Sequence, residues 1–495
     1  MTHDLERTTL HAVAWRIVPF VCVLYVLNIL DRANVGFARL AMQGDLGLSK
    51  AAFDLGYGMF YIGYLLFEVP SNLLLKRIGA RIWIARIMIT WGVVSAATMF
   101  AHDVWTFYAL RILLGVAEAG FFPGIIYHLS KWFPDRERAK MTAFFMLAIG
   151  VSNVLGNPIS GWIMDRFHGV SGLHGWQWLF LLEGLPTVIV GVLVLFVLMD
   201  TPRDAHWLSD EQRKWLIQRM AEEDLVRQQQ HGPDKWQAML QPRVWLLIVI
   251  YISVAVGSNA SGAYFPTLVN EQFQGPYQLT ENVFEKLREE HVPEDIITAL
   301  TPLANRESPN RKSFAELLKE TLPQDQLNGY RELILKHAIH PRLTNFQIGL
   351  LTALPHLCAI LAMSLVGISS DRSGERRWHL AGSALAAALG WCLVAWEPSP
   401  LVAMIGLCIA QAGMMSMLPV FWTLPTAFLS GTAAAGGIAL INSVANIGGF
   451  FGATILGQLG LWSMAGILFA GSILTAGTIR GSFLPQREKV KNRYE

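Results

Sequence analysis

The sequence predicts an all-helical membrane protein: twelve transmembrane helices in two pseudo-symmetric six-helix halves, with an extra helical insert in the outer loop between helices 7 and 8. Three observations carry that reading. Of the 495 residues 53% are hydrophobic and only 15% charged, where soluble domains carry about 25% charged residues, and mean hydropathy is +0.38. Apolar runs long enough to cross a bilayer recur twelve times along the chain. A short motif also repeats at a spacing of more than half the chain. The 17 Trp and 43 Gly agree, because Trp favours the membrane interface and Gly favours close helix contacts.

In chain order, the first run spans 15–37. It follows a polar, charged stretch from Met1 to Ala14, and no cleavage site comes after it, so it reads as a retained span and not a signal peptide. Runs at 53–74, 82–101, 105–128, 140–163 and 177–199 complete a first half, residues 1–199. A polar linker at 200–243 follows, marked by Asp200-Thr201-Pro202-Arg203 and by Asp210-Glu211-Gln212-Arg213-Lys214. Its alternating charges read as a solvated helix beside the membrane. The second half, 244–480, holds runs at 244–268, 346–369, 379–396, 401–428, 435–458 and 462–480, and 481–495 is a polar tail. Between its first two runs, 269–345 is polar and helix-prone: Ser313 and Glu316 read as a capping box, and Pro323 as the start of a helix through about Ile339. This segment reads as a small external cap or lid.

The repeat supports the two halves. Arg77-Ile78-Gly79-Ala80-Arg81-Ile82-Trp83 matches Arg372-Ser373-Gly374-Glu375-Arg376-Arg377-Trp378 at an offset of 295, and an offset of 296 carries Pro123 onto Pro419. Secondary transporters show such parallel repeats. The glycines imply tight turns, and the arginines are expected to pair with helix ends or with acids across the half interface. Lys and Arg concentrate in the even-numbered connections, the linker and the tail, while the outer loops hold little beyond Arg39, Lys50 and Arg166. That bias places both termini on the cytoplasmic side of the cell's inner (plasma) membrane.

Composition also excludes. A net charge of +2 argues against a nucleic-acid partner. Cys22, Cys358, Cys392 and Cys408 all fall in predicted spans without paired spacing, so neither a disulfide framework nor a metal site follows. No nucleophile–base pairing, metal spacing or cofactor motif is present, and the chain does not read as an enzyme.

The residues that carry chemistry are charges inside spans. Asp31 and Arg32 lie side by side late in the first run, and Arg111 and Glu118 share a face of the fourth with Gly115 between them. A charge centred in hydrocarbon costs roughly 2.5–3.5 kcal/mol on insertion scales. These four therefore face a protein interior or a wet cavity, either as structural pairs locking helices or as a functional site. Two arginines need an anion, and the guanidinium fork matches a carboxylate. A buried carboxyl beside an arginine changes its proton affinity with small changes in geometry, which suits a proton carrier. Tyr57, Tyr61, Tyr64 and Glu68 form a stripe on one face of the second run, with Tyr64 the favoured binding member. The second half lacks matching charges. It offers Pro419-Val420-Phe421-Trp422-Thr423-Leu424-Pro425-Thr426, a proline-broken helix, and Asn442 and Asn446 one turn apart. Trp422 reads as an apolar wall or as packing, and Asn442 as a hydrogen-bond donor to a hydroxyl or carboxylate or as packing. The residues alone thus describe an organic-anion carrier coupled to protons and embedded in lipid, whose partners are a small organic anion and the proton, without a cofactor; a monomer is the expected state.

Four motifs then resemble a known family. Leu30-Asp31-Arg32-Ala33-Asn34-Val35-Gly36, Phe67-Glu68-Val69-Pro70-Ser71-Asn72, the stretch from Gly115 through Glu118 to Pro123-Gly124, and Phe421-Trp422-Thr423-Leu424-Pro425-Thr426 resemble the anion:cation symporter family of the major facilitator superfamily, its tartrate and phthalate carriers most of all. The resemblance implies secondary active transport of a small organic carboxylate (tartrate-like, sugar-acid or aromatic) by alternating access. It also implies a site in which Arg32, Tyr64, Arg111, Trp422 and Asn442 bind substrate, and Asp31 and Glu118 couple protons. Two features depart from the family: Ile149 stands where a polar residue of the fifth span is expected, with Asn153 one turn on, and 269–345 is an addition. A carrier of another carboxylate or a drug-like ligand is the competing transport reading, and a non-transporting membrane sensor that uses the insert to bind a partner is the competing class.

Overall fold

The computed structural model describes residues 2–229, 241–273, 277–308, 311–322, 324–338, 343–396, 399–428 and 431–479. The first half contains α1 (Thr2–Asp45), α2 (Lys50–Ile78), α3 (Ala80–Ala97), α4 (Val104–Glu118), α5 (Phe121–Trp132), α6 (Asp135–Arg166) and α7 (Gly175–Val197). Helix α8 (Asp210–Gln229) lies in the linker. The second half begins with α9 (Pro242–Phe273), then the insert helices α10 (Glu281–Glu289), α11 (Glu294–Leu300), α12 (Arg311–Thr321) and α13 (Gln324–His337). It continues with α14 (Asn345–Ser373), α15 (Arg377–Trp396), α16 (Pro400–Phe421), α17 (Thr423–Phe428), α18 (Gly431–Leu459) and α19 (Leu461–Thr478).

In hydrocarbon every backbone polar group needs an internal partner, so the apolar runs resolve as helices. Eleven helical spans among the described residues are long and apolar enough to cross a membrane. The twelfth is α6, 32 residues long and packed between α1 and α14. The chain is a multi-pass membrane protein with the twelve-span plan.

Two spans are broken, the tenth where its prolines led one to expect it and the fourth where one continuous run was expected. The fourth divides into α4 and α5 at Ala119–Gly120, where Gly120 takes a left-handed φ of 88°, a conformation that suits glycine. The tenth divides into α16 and α17 at Trp422, within the proline-flanked stretch. Helix α4 starts on Asp103, whose carboxylate accepts the Thr106 N–H at 2.8 Å. Hydrogen bonds from the Thr106 side chain and backbone hold that carboxyl below the usual range.

Across the halves, α1 packs on α9, α2 on α18, and α6 on α14. The two-fold relation that exchanges spans 1 and 7, 2 and 8, and 5 and 11 maps the first seam onto itself and the other two onto each other. Glycines let the seams close: a Cβ on Gly349 would collide with the Asn157 carbonyl, and one on Gly58 would lie 2.8 Å from the Phe450 carbonyl. Small residues at such crossings bring backbones together.

The repeated loops behave alike. Gly79 (φ 99°) and Gly374 (φ 69°) make the turns. Arg81 Nε donates to the Leu195 carbonyl at 2.6 Å, at the end of α7, and Arg377 donates to the Ala476 carbonyl near the end of α19. Arg376 pairs with Asp371 at 2.7 Å. All of these partners lie in the arginine's own half, so these contacts make the loops intra-half clasps and not the cross-half contacts that sequence left open.

The insert is a small unit with its own apolar core, built from residues such as Leu279, Leu287, Ile297, Leu300, Phe314, Leu318 and Ile334. Helix α12 begins at Arg311, which puts Ser313 in the first turn and not at the cap position. Helix α13 begins at Gln324, while Pro323 lies outside the described residues. Arg39 is likewise no loop residue: α1 continues to Asp45 and buries it.

Candidate functional site

Neighbouring residues on a helix point about 100° apart, and that decides the roles of Asp31 and Arg32. Arg32 reaches across to α4, where its Nε donates to Glu118 Oε1 at 2.5 Å and its Nη2 pairs with the same oxygen. Asn28, one turn earlier on α1, adds an Nδ2 donor to that oxygen at 2.7 Å. The Arg32 guanidinium lies 5.2 Å from the centres of both the Phe60 and Tyr64 rings of α2. Its side chain is 32% exposed while that of Glu118 is 1% exposed, so the arginine is the accessible member of the pair.

Asp31 turns the other way, into the first half. It accepts from Trp91 Nε1 at 2.5 Å, Ser95 Oγ at 2.7 Å and Thr187 Oγ1 at 3.1 Å. It makes no ion pair with Arg32 among the described residues, so adjacency in sequence does not produce the expected neutralisation. Arg111 and Glu118 do share a face, yet seven residues of helix separate them by about 10 Å. Arg111 instead lies over Tyr57 and Phe60, at 5.5 and 5.1 Å from the ring centres, and its Nη2 donates to the Tyr57 carbonyl at 3.4 Å. It is 3% exposed, its Nε has no hydrogen-bond partner, and no carboxylate forms an ion pair with it among the described residues. A buried, acid-free guanidinium is costly, at several kcal/mol of desolvation, and it marks a place that an anion would complete. Gly115 serves helix contact here: a Cβ on it would meet the Phe60 carbonyl and, at 2.8 Å, the Tyr64 nitrogen.

The second half meets this cluster through α18. Asn442 Nδ2 donates to Glu68 Oε1 at 3.3 Å and Ser443 Oγ donates to Glu68 Oε2 at 2.7 Å. Tyr61 donates to Asn259 of α9. Trp422 stands at the α16–α17 break, its ring 5.0 Å from that of Tyr251 and 5.3 Å from that of Phe421; its contacts are those of a packed wall. Asn153 donates to its own helix, to the Ile149 carbonyl at 2.9 Å.

The structure thus gathers Arg32, Tyr64 and Glu118 directly, sets Arg111 beside them over the shared Phe60 ring, and joins Asn442 through Glu68. Sequence reasoning gave no role to Asn28, Glu68 or Ser443. The four-residue spacings Asn28–Arg32 and Tyr64–Glu68 carry the signal for the first two. It also missed a tie toward the insert end of the bundle. Arg39 Nη1 pairs with Asp54 Oδ1 at 2.7 Å, and Tyr264 of α9 donates to Asp54 at 2.7 Å while accepting from Arg39 Nη2 at 3.0 Å. Arg39 is seven residues beyond Arg32, on the same face. At the opposite seam, Asp165 at the end of α6 accepts the Phe346 N–H at 2.8 Å and Asn345 Nδ2 at 2.7 Å, capping α14 from the other half.

Comparison with known proteins places the chain in a family. The family model of the Major Facilitator Superfamily matches residues 21–283 and 321–494. A protein of Agrobacterium vitis named "Putative tartrate transporter" is 40% identical over 494 residues, covering 97% of this chain and 94% of that protein. A protein of Pseudomonas putida named "Putative metabolite transport protein NicT" is 38% identical, covering 93% and 92%, and the inner membrane transport protein RhmT of Escherichia coli is 34% identical, covering 93% and 92%. Among solved structures, the partially occluded inward-open xylose transporter XylE of E. coli superposes with a TM-score of 0.66 at 13% identity, covering 95% of this chain and 98% of that one. At that identity the likeness speaks for the fold alone.

Proposed function

The chain belongs to the Major Facilitator Superfamily, and on that premise we propose that it is a proton-coupled carrier of a small organic carboxylate, working by alternating access. The observation that carries this reading is the asymmetry of the two site arginines. Arg32 is satisfied by Glu118, whereas Arg111 is buried without an acid among the described residues. A substrate carboxylate arriving between them supplies the missing anion and competes with Glu118 for the Arg32 fork. Glu118, released from its arginine, is then the group that carries the proton. Anion and proton binding therefore reinforce each other, as linkage requires. Arg32, Arg111, Tyr64, Asn442 and Trp422 form the substrate site in this proposal, and Glu118 with Asp31 the coupling pair. Asp31 acts from behind, since its hydrogen bonds hold α1 against α3 and α7.

The names of the Agrobacterium relative, a tartrate transporter, and of NicT, a metabolite transporter, support a small organic acid as cargo. The name of RhmT supports the inner membrane as location, and the distribution of Lys and Arg supports cytoplasmic termini. The carrier is proposed to work as a monomer.

Uptake into proteoliposomes tests the reading. Labelled tartrate, sugar acids and aromatic acids are offered with and without an inward proton gradient. Accumulation of at least one carboxylate that collapses with the gradient is expected. A protein that moves no carboxylate, or accumulates one equally without the gradient, overturns it.

A further inference from the structure

Glu68 is 3% exposed and reaches from α2 to α18, where Asn442 and Ser443, adjacent in sequence, bond its two carboxylate oxygens separately. This is a two-point fork for a carboxylate, built from neutral donors of the second half and occupied by a carboxylate of the first. Tyr64, one turn before Glu68, lies under the Arg32 guanidinium. The site therefore contains two internal carboxylates on two different receptors: Glu118 on Arg32, and Glu68 on Asn442–Ser443.

Resting on the carboxylate-carrier reading, we propose that Asn442 and Ser443 form a second carboxylate subsite and that the substrate is a dicarboxylate. One substrate carboxylate takes the place of Glu118 at Arg32 and supplies the anion that Arg111 lacks. The other takes the place of Glu68 at Asn442 and Ser443. Each internal acid is then a stand-in that keeps its receptor hydrogen-bonded while the carrier is empty. The two ends of the substrate bridge the halves, because the arginines belong to α1 and α4 and the fork belongs to α18. A monocarboxylate engages only one receptor and leaves Glu68 in place.

Matched acids read this out directly. Binding of tartrate and of threonate, which replaces one tartrate carboxylate by a hydroxymethyl group, is measured on the purified full chain, together with phthalate against benzoate. The expected result is a preference of about tenfold or more for the dicarboxylate, the scale of one hydrogen bond to a charged group. In Ser443→Ala the ratio falls toward one. In Glu68→Gln, which removes the competing charge, it rises. Damage to packing weakens both acids of a pair together and does not move the ratio in opposite directions in the two variants. Equal affinities in the unmodified protein, or a ratio unchanged by Ser443→Ala, overturn the subsite while leaving the carrier reading intact. If neither member of any pair binds, the carrier reading itself falls.

Discussion

Tyr264→Phe removes one hydroxyl from the tie at the insert end of the bundle, and its effect follows from which half each partner occupies. Arg39 and Asp54 stand on α1 and α2 of the first half, and their 2.7 Å ion pair survives when the halves part. Tyr264 stands on α9 of the second half, so its bonds to Asp54 at 2.7 Å and from Arg39 at 3.0 Å break when that end opens. Hydrogen bonds to charged groups contribute about 1.5–3 kcal/mol each. Asp54 and Arg39 keep each other and gain water in the open form, so the hydroxyl as a whole is counted as one such bond at the lower value. About 1.5 kcal/mol corresponds to roughly a tenfold change in the closed-to-open ratio. Asp54→Asn is the poorer experiment, since stripping a buried arginine of its acid costs about 3–5 kcal/mol and endangers the half itself. Spin labels at Gly44 and Leu459, exposed positions near the insert ends of α1 and α18, report the separation in nanodiscs by pulsed electron resonance. The variant should populate the wider separation about tenfold more than the parent. A distance distribution identical to the parent's refutes the idea that this contact holds the end closed.

The other predictions concern recognition, coupling and the insert. Arg32→Lys keeps the charge but loses the fork that places both Nε and Nη2 on one carboxylate oxygen; substrate affinity should drop about tenfold to a hundredfold by equilibrium binding, and near-parental affinity rejects the role. Glu118→Gln mimics the proton-bound acid without exchanging it, so the variant should still swap labelled for unlabelled substrate across a vesicle yet fail to concentrate it under a proton gradient; normal accumulation removes Glu118 from the coupling. Replacing 276–340 by a short Gly/Ser loop should leave a monodisperse membrane bundle, because the insert has its own core, and a variant that no longer inserts shows that the segment is needed to build the fold.

The fold was legible because a bilayer allows so few solutions: a run of about twenty apolar residues becomes a helix, and the repeated glycine turns mark the two halves. The site was legible in its members and not in its pairings. Sequence neighbours diverge around a helix, so Asp31 faces Trp91 and Ser95 while Arg32 faces Glu118. Residues seven apart align without touching, so Arg111 and Glu118 find other partners. The contacts that join distant segments, Glu68 with Asn442 and Ser443 or Arg39 with Tyr264, depend on how the halves meet, and no local pattern in one sequence records that. Helix breaks were half-visible. Prolines announce the one at Trp422, whereas the one at Gly120 needs a single left-handed residue in an otherwise apolar run.

The insert is attached at an informative place. The chain enters it from α9, nine residues beyond Tyr264, and leaves it into α14, whose first residues are capped by Asp165. Both cross-half fasteners of that end are thus wired to the two ends of one folded unit, like a handle bridging two latches. A force or a binder that changes the spacing between the insert's ends acts on both fasteners at once. An antibody fragment that clamped that spacing would therefore hold both fasteners in one state while touching only the insert.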